Sequence, residues 1–361
     1  MNKKIMAAIG IALGADCAFA QSNVTIYGIA DIAFVSERGG IGGNVNKITN
    51  GGVSASRIGF RGSEELGNGV SAFFTLENGY RIDTGEVDAA GTMFNRQSFV
   101  GLKTRAGTLT IGRQYTPWHQ TLGQVADPFV TGYAGTSKNL FPDSGTNVRT
   151  SNTVQYSAPP MKGLVADLAY SFGEQAGSSK TGRQMGASIG YAAGKLAVRY
   201  AYNNKNTDVL AAPGVTPVSR GSSSNHLVAA NYDVTVVRLY AAYGKDKGFN
   251  SAPIQNPNNP YGGVVRPTPS TDSKVVLLGL SAPVPGGTVI ASVMRKDDET
   301  RFNQDARGWG IAYAYALSKR SSMYTSYGAV LNENGAGYTV GNNGETGSGD
   351  RAFNVGVRHV F

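Results

Sequence analysis

From Val24 onward the chain repeats one pattern: about ten residues in which apolar side chains alternate with polar or small ones, followed by a turn or loop. Near the C-terminus Phe353, Val355, Val357, His359 and Phe361 share one face, and Asn354, Gly356 and Arg358 share the other. Trp309, Ile311, Tyr313, Tyr315 and Leu317 alternate in the same way with Gly308, Gly310, Ala312 and Ala314. A period of two with one apolar face predicts half-exposed β-strands. Sixteen such segments are legible: 24–36, 54–62, 70–80, 96–103, 107–115, 150–157, 164–172, 184–192, 196–204, 225–232, 234–245, 274–282, 288–296, 308–318, 322–331 and 351–361.

Alternation alone fits a water-soluble sandwich as well as a membrane barrel, and the connectors decide between them. Short links (105–107, 193–195, the Asp233 corner, 283–286, 319–321) alternate with long ones (37–53, 116–149, 205–224, 246–273, 332–350). Tight turns at one end and long loops at the other are the layout of an outer-membrane barrel with an even number of antiparallel strands. Closure also removes the unpaired edges that so long a sheet would otherwise expose. Tyr27, Tyr170, Phe172, Tyr191, Tyr202, Tyr232 and Tyr243 fall near strand ends, as interfacial aromatic girdles do. The fold class is all-β, a 16-stranded antiparallel transmembrane β-barrel.

Composition supports this reading. Among 361 residues there are 49 Gly, about twice ordinary usage, and only 16% are charged. No apolar run is long enough for a membrane-crossing helix. Lys3 and Lys4, the apolar run 5–13 and Ala18-Phe19-Ala20 predict a secretory signal peptide over 1–20, leaving 21–361 as one barrel domain. The single cysteine, Cys17, lies in the leader, and removal of 1–20 lowers the net charge from +9 to +8.

Sixteen strands enclose an aqueous channel. A charge on the lipid side at mid-membrane costs roughly 2–4 kcal/mol, so Asp31, Arg57, Thr75, Glu77, Arg81, Arg96, Ser98, Asp167, Arg199, Arg238 and Lys274 are expected to face the lumen. The longest connector, 116–149, carries few charges (Asp127, Lys138, Asp143, with His119) and many small or aromatic residues. A structureless loop of that length is usually functional; here it is expected to fold into the barrel and set the constriction.

Several segments resemble the trimeric general porins of Gram-negative outer membranes, in their betaproteobacterial and neisserial branch. They are Val24-Thr25-Ile26-Tyr27-Gly28 with Asp31, Ser56-Arg57-Ile58-Gly59-Phe60-Arg61-Gly62, Arg96 to Leu102, Gly112-Arg113-Gln114-Tyr115, Asn147 to Tyr156, Leu317 to Ser321, and Gly356 to Phe361. They span the mature chain in order. The resemblance implies a homotrimer with the third loop folded inward and a wall of arginines facing it, here Arg57, Arg96, Arg113 and Arg149. Arg113 shares its parity with the outward Leu109 and Ile111 and reaches the lumen only if the strand kinks there. With Asp127 and Asp143 the loop's only carboxylates, the constriction is expected to favour anions. The terminal Phe361 resembles the signal read by the barrel-assembly machinery.

The implied activity is passive diffusion of small hydrophilic or anionic solutes, without catalysis or cofactor. A channel specific for one anion, such as phosphate or a carboxylate, is the alternative. Three His without a neighbouring nucleophile motif speak against a hydrolase, and no basic run with interleaved aromatics suggests nucleic acid. Basic outer residues could instead meet lipopolysaccharide phosphates. Glu64 and Glu65 are expected in a short turn.

Overall fold

The computed structural model describes residues 23–249 and 270–361. The leader 1–20 and much of the connector 246–273 lie outside the described residues. The strands are β1 Asn23–Gly40, β2 Gly43–Asn50, β3 Arg57–Gly67, β4 Val70–Gly79, β5 Gln97–Thr104, β6 Gly107–Tyr115, β7 Arg149–Ser157, β8 Leu164–Ser171 and β9 Gln184–Ala193. The second half comprises β10 Leu196–Asn206, β11 Ser222–Asp233, β12 Arg238–Lys247, β13 Asp272–Val284, β14 Gly287–Asp298, β15 Ala306–Ala316, β16 Ser321–Asn332 and β17 Arg351–Val360. Apart from β2 and β3, which both pair with β1, each pairs antiparallel with its sequence neighbour, and β17 closes on β1 from Ile29↔Val360 to Arg38↔Arg351. Phe361 completes the closure, exchanging backbone hydrogen bonds with Gly28 in both directions.

Seventeen segments make sixteen staves because β2 and β3 share one lane beside β1. β1 pairs with β3 over 23–29 and with β2 from Ile32 onward. Between them, residues 51–56 leave the ladder. This corrects the expectation of a long connector over 37–53: β1 runs on to Gly40 and turns tightly at Ile41-Gly42. Glu64 and Glu65 likewise belong to β3, and the turn falls at Asn68-Gly69. Beyond Asp233 the chain turns through 234–237 before β12 starts at Arg238.

The outer face is apolar in rows, as Leu278↔Val293↔Trp309 shows; Leu278 and Val293 are more than half exposed. The inner face is divided. On the side of β1 to β7 it is polar and charged, whereas from β10 to β17 it carries Ala201, Leu227, Ala229, Ala242, Val275, Leu277 and Met294, all buried. These residues are buried inside a channel because segment 117–141 covers them with Trp118, Leu122, Val125, Ala126, Leu140 and Phe141. Each large apolar side chain fully buried in this way contributes about 1.5–3 kcal/mol relative to exposure. A second cluster joins Phe129 and Tyr133 of the loop to Ala33, Val35, Ile290, Ala312 and Tyr324 of the wall.

Small residues on the wall admit the loop backbone. A Cβ on Gly310 would lie 2.2 Å from Gly135 Cα, and one on Gly328 would lie 2.3 Å from Ala134 O. Gly244 and Gly279 give similar room to Phe141 and Pro128. These wall glycines form a docking track for the loop.

Connector 333–350 also departs from the expected external position. Ala336, Tyr338 and Val340 join the first interior cluster, and Gly341 N donates to Asn139 Oδ1 at 3.0 Å. Two loops therefore fill the barrel's mouth.

Candidate functional site: the channel constriction

Pro117, preorganised for a helix start, and Thr116, whose side chain accepts from His119 N, open a short helix at 117–121 directly after β6. The loop then runs across the lumen and returns at Arg149, the first residue of β7. Between it and the polar wall lies a cavity of about 660 Å³.

The wall side of this cavity is built on Tyr115. Its phenol oxygen accepts from Arg96 Nη2 at 2.8 Å and from Arg149 Nη2 at 2.7 Å. The Arg149 guanidinium lies 4.3 Å from the centroid of the same ring, and His119 stacks on the ring at 5.0 Å. Behind the arginines, Glu77 Oε1 accepts from Arg96 Nε at 2.7 Å and stands 3.8 Å from Arg57 Nη1. Tyr27 donates to the other Glu77 oxygen at 3.1 Å. One carboxylate thus serves two guanidiniums, while a neutral phenol orders two. Arg149 Nε is buried without an acceptor.

Arg113 borders the same cavity because alternation breaks beside it. The β6–β7 register shifts between Gly112 and Gln114, and Gly112 takes φ +136°, a conformation open to glycine. The guanidinium donates to Asn95 O at 2.6 Å and to Ser151 Oγ at 3.0 Å. The sequence names this kink as the condition for Arg113 to reach the lumen.

Of the loop charges, Lys138 and Asp143 line the cavity and Asp127 does not. This corrects the expectation for Asp127, whose oxygens accept the backbone N–H groups of Phe129, Thr131 and Ser137 at 2.9, 3.0 and 3.0 Å. It staples the loop from within. Burial raises its carboxyl above the usual range despite those bonds. Asp143 accepts from His119 Nδ1 at 2.6 Å. Burial pushes its carboxyl up, but His119, Lys138 and Arg149 outweigh that and hold it below the ordinary value.

Three further residues shape the site that the sequence does not assign to the constriction: Arg358, Asn343, and Asp31, the last expected only to face the lumen. Arg358 lines the cavity and donates from Nε to Ser54 Oγ at 3.2 Å. The 51–56 excursion is held by Asp31, whose Oδ2 accepts from Val53 N and Ser54 N at 3.1 and 2.8 Å and whose Oδ1 accepts from Tyr324 OH at 2.5 Å. Asn343 locks the three inward segments together: it accepts from Ala55 N at 2.8 Å, donates to Thr131 O at 3.0 Å, and its carbonyl receives Lys138 Nζ at 3.4 Å.

The cavity is bordered by Arg57, Arg96, Arg113, Lys138, Arg149 and Arg358 against Asp88, Asp143 and Glu345. Asp143 is engaged by His119 and Glu345 by Lys47. Lys274 lies elsewhere. It shares parity with the exposed Val276 and Leu278, so it faces outward at the rim, where it pairs with Glu299. Ser98, opposite outward Leu76, also leaves the lumen face. Among the described residues no cluster of three or more His, Cys, Asp or Glu could hold a metal ion.

Lys138 gives the constriction a titratable cation. Burial lowers its ammonium below the usual lysine value, against the pull of Asp143; Arg96, Arg149 and Tyr115 also act on it. A cation with a lowered pKa is lost as pH rises, so on raising the pH the anion preference should begin to decline before about pH 10.4, where ordinary lysines titrate. Reversal potentials measured across the alkaline range would show this, and Lys138→Met should abolish the change.

A family model described as Gram-negative porin matches residues 7–335. The chain belongs to this family. An outer membrane porin protein of Bordetella pertussis is 28% identical over 417 aligned positions that cover all of both chains. Outer membrane porin protein 32 of Delftia acidovorans is 26% identical over 99% of this chain and all of its own length. Among solved structures, the anion-selective porin from Comamonas acidovorans superposes with a TM-score of 0.73 at 25% identity, covering 94% of this chain and 100% of that one. The porin therefore resides in the outer membrane, in a family of channels; among the described residues no helix is long and apolar enough to cross a membrane.

Proposed function

We propose that this porin is a passive diffusion channel for small hydrophilic solutes, preferring anions through the cluster of Arg57, Arg96, Arg113, Arg149, Arg358 and Lys138, and catalysing nothing. The observation that carries this reading is the sharing of one phenol oxygen by Arg96 and Arg149. A neutral acceptor positions both cations without cancelling either. Low-dielectric walls focus the resulting field into the water path. The similar porin from Comamonas acidovorans is anion-selective, in keeping with this assignment.

The test is a double substitution, Arg57→Ser with Arg149→Ser. A unit charge at 4 Å acts with about 1 kcal/mol in water and more near a protein wall. Losing two should lower the anion-to-cation permeability ratio about tenfold at ~0.1 M salt, and less at 1 M, where screening shortens to about 3 Å. An unchanged ratio would refute the assignment. The alternative of a channel dedicated to one anion predicts block of the conductance by that solute at low concentration.

By family analogy the channel assembles as a homotrimer, tested by the migration of unheated protein on a gel. Phe361, docked at Gly28, is proposed as the residue that the barrel-assembly machinery reads.

A further inference from the structure

The inner wall below the constriction carries a feature that neither the arginine cluster nor the inward loop uses. After Arg57 the lumen-facing positions of β3 run Gly59, Arg61, Ser63 and Glu65 toward the tight turn at Asn68-Gly69. Arg61 stands between Thr25 of β1 and Thr75 of β4, and Thr75 stands opposite Phe99 of β5. In the next inward row Ser63 lies opposite Phe73, and Phe73 opposite Gly101. These positions share the parity of Glu77 and alternate with the exposed Val24, Ile26, Ile58 and Val100, so both phenylalanines point into the lumen. Arg61 lies four positions beyond Arg57, roughly 13 Å along the strand, which makes this a separate place on the wall.

An apolar ring facing water gives up the free energy of its burial, and neither ring belongs to the clusters that the inward loop covers. The rings build a fixed surface instead. Phe73 lies on Gly101, where a Cβ would come within 2.5 Å of the ring, and Phe99 meets Phe73 at 6.2 Å with the planes 84° apart. Tyr27 lies on Gly59 in the same way, held by its bond to Glu77, and the Arg61 guanidinium sits 5.2 Å from the centroid of the Tyr27 ring. Among the described residues Arg61 makes no ion pair. Glu77 is taken by Arg96 and Arg57. Glu65 shares the last inward row with Lys103, on either side of Ser71, so those two charges offset each other. A cavity of about 260 Å³ borders Thr25, Arg61, Ser63, Phe73 and Thr75. That is below the roughly 300–1,000 Å³ of a drug-sized site and suits a single ring.

We propose that this wall is a second solute site, which holds small aromatic monoanions of the benzoate class on the short-turn, periplasmic side of the constriction. The carboxylate meets Arg61, whose guanidinium fork presents paired donors, and the hydroxyls of Thr25, Ser63 and Thr75 border the same cavity. The ring lies against Phe73 and Phe99 in the offset or edge-on arrangement that aromatic pairs prefer. One unpaired cation beside two rings selects a single negative charge on an apolar body. Chloride or phosphate would use the arginine alone, and a neutral ring the phenylalanines alone. The inference rests on the reading of the barrel as a diffusion channel and not on the ion preference of its constriction.

The test titrates para-fluorobenzoate against the purified full-length porin in lipid nanodiscs, followed by fluorine NMR with empty nanodiscs as the blank. Wild-type protein should bind it saturably, and about tenfold more tightly than fluoroacetate, which lacks the ring, or para-fluorobenzyl alcohol, which lacks the charge. Arg61→Gln and Phe73→Leu should each weaken binding about tenfold, whereas Phe74→Leu, on the outer face of the same strand, should match wild type. Conductance in 1 M salt, where screening shortens to about 3 Å, should stay at the wild-type value in all three variants and so report intact channels. The proposal is overturned if wild type shows no saturable binding, if fluoroacetate binds as tightly as para-fluorobenzoate, or if the Arg61 and Phe73 variants bind as wild type does, which would place the anion at the constriction. The reversal potential in potassium chloride reads the constriction separately, so failure of its anion preference and failure of this site are distinguishable.

Discussion

Gly310→Val opens the channel: single-channel conductance rises and ion preference weakens. The added Cβ would lie 2.2 Å from Gly135 Cα and 3.1 Å from Gly135 N. These are backbone atoms, which no rotamer change can move, so the inward loop must leave the wall. Overpacking usually costs about 1–3 kcal/mol, and a clash this close falls at or above the upper limit. The loop's own anchors, Trp118, Phe129 and Phe141, oppose its departure. Gly310→Ala should therefore give the same change in weaker form, and Gly328→Val, aimed at Ala134 O, should reproduce it. The barrel's ladder hydrogen bonds are untouched, so folded protein should be recovered. Planar-bilayer recordings check the outcome, and wild-type conductance in both valine variants would show that the loop is not seated by these glycines.

Glu77→Gln separates stability from selectivity. Glu77 is buried and answers Arg96, Arg57 and Tyr27 at once. Removing one partner of a buried ion pair typically costs about 3–5 kcal/mol because the other charge is left uncompensated. The variant should unfold at lower temperature than wild type. Its anion preference should nevertheless rise, since the arginine cluster loses its rear counter-charge. A thermal melt and a reversal potential on the same preparation test both signs; a fall in anion preference would mean that Glu77 mainly holds the arginines in place.

The strand plan was legible because lipid on one side and water on the other impose a period of two. Fifteen of the sixteen staves follow it with small shifts at their ends, and 54–62 is the exception because its lane is split. The hairpin at Ile41-Gly42 was hidden because its Gly-rich flanks read equally well as a loop. Arg57, Arg96 and Arg149 were recognisable by resemblance, but the shared acceptor Tyr115 was not, since nothing local marks a residue that works through contacts with Arg96, nineteen positions earlier, and Arg149.

Lys274 shows a subtler failure. In Lys274-Val275-Val276-Leu277-Leu278 both faces are apolar, because the loop covers the inner side and lipid the outer. Without alternation, parity cannot say which way the lysine points. Asp127 was misplaced for a related reason: its partners Phe129, Thr131 and Ser137 are set by an irregular backbone with no period to read. Arg358 lay in a recognised motif and on the correct face, and its link to Ser54 depends on an excursion that interrupts its lane.

The central claim is that six cations, ordered largely by neutral groups and only partly opposed, decide which ions pass. The most direct measurement is the zero-current potential of the wild-type channel in a planar bilayer under a potassium chloride gradient near 0.1 M, where screening acts over about 10 Å. The account predicts a potential of the sign set by chloride permeation. A potential of the opposite sign, set by potassium, would contradict it.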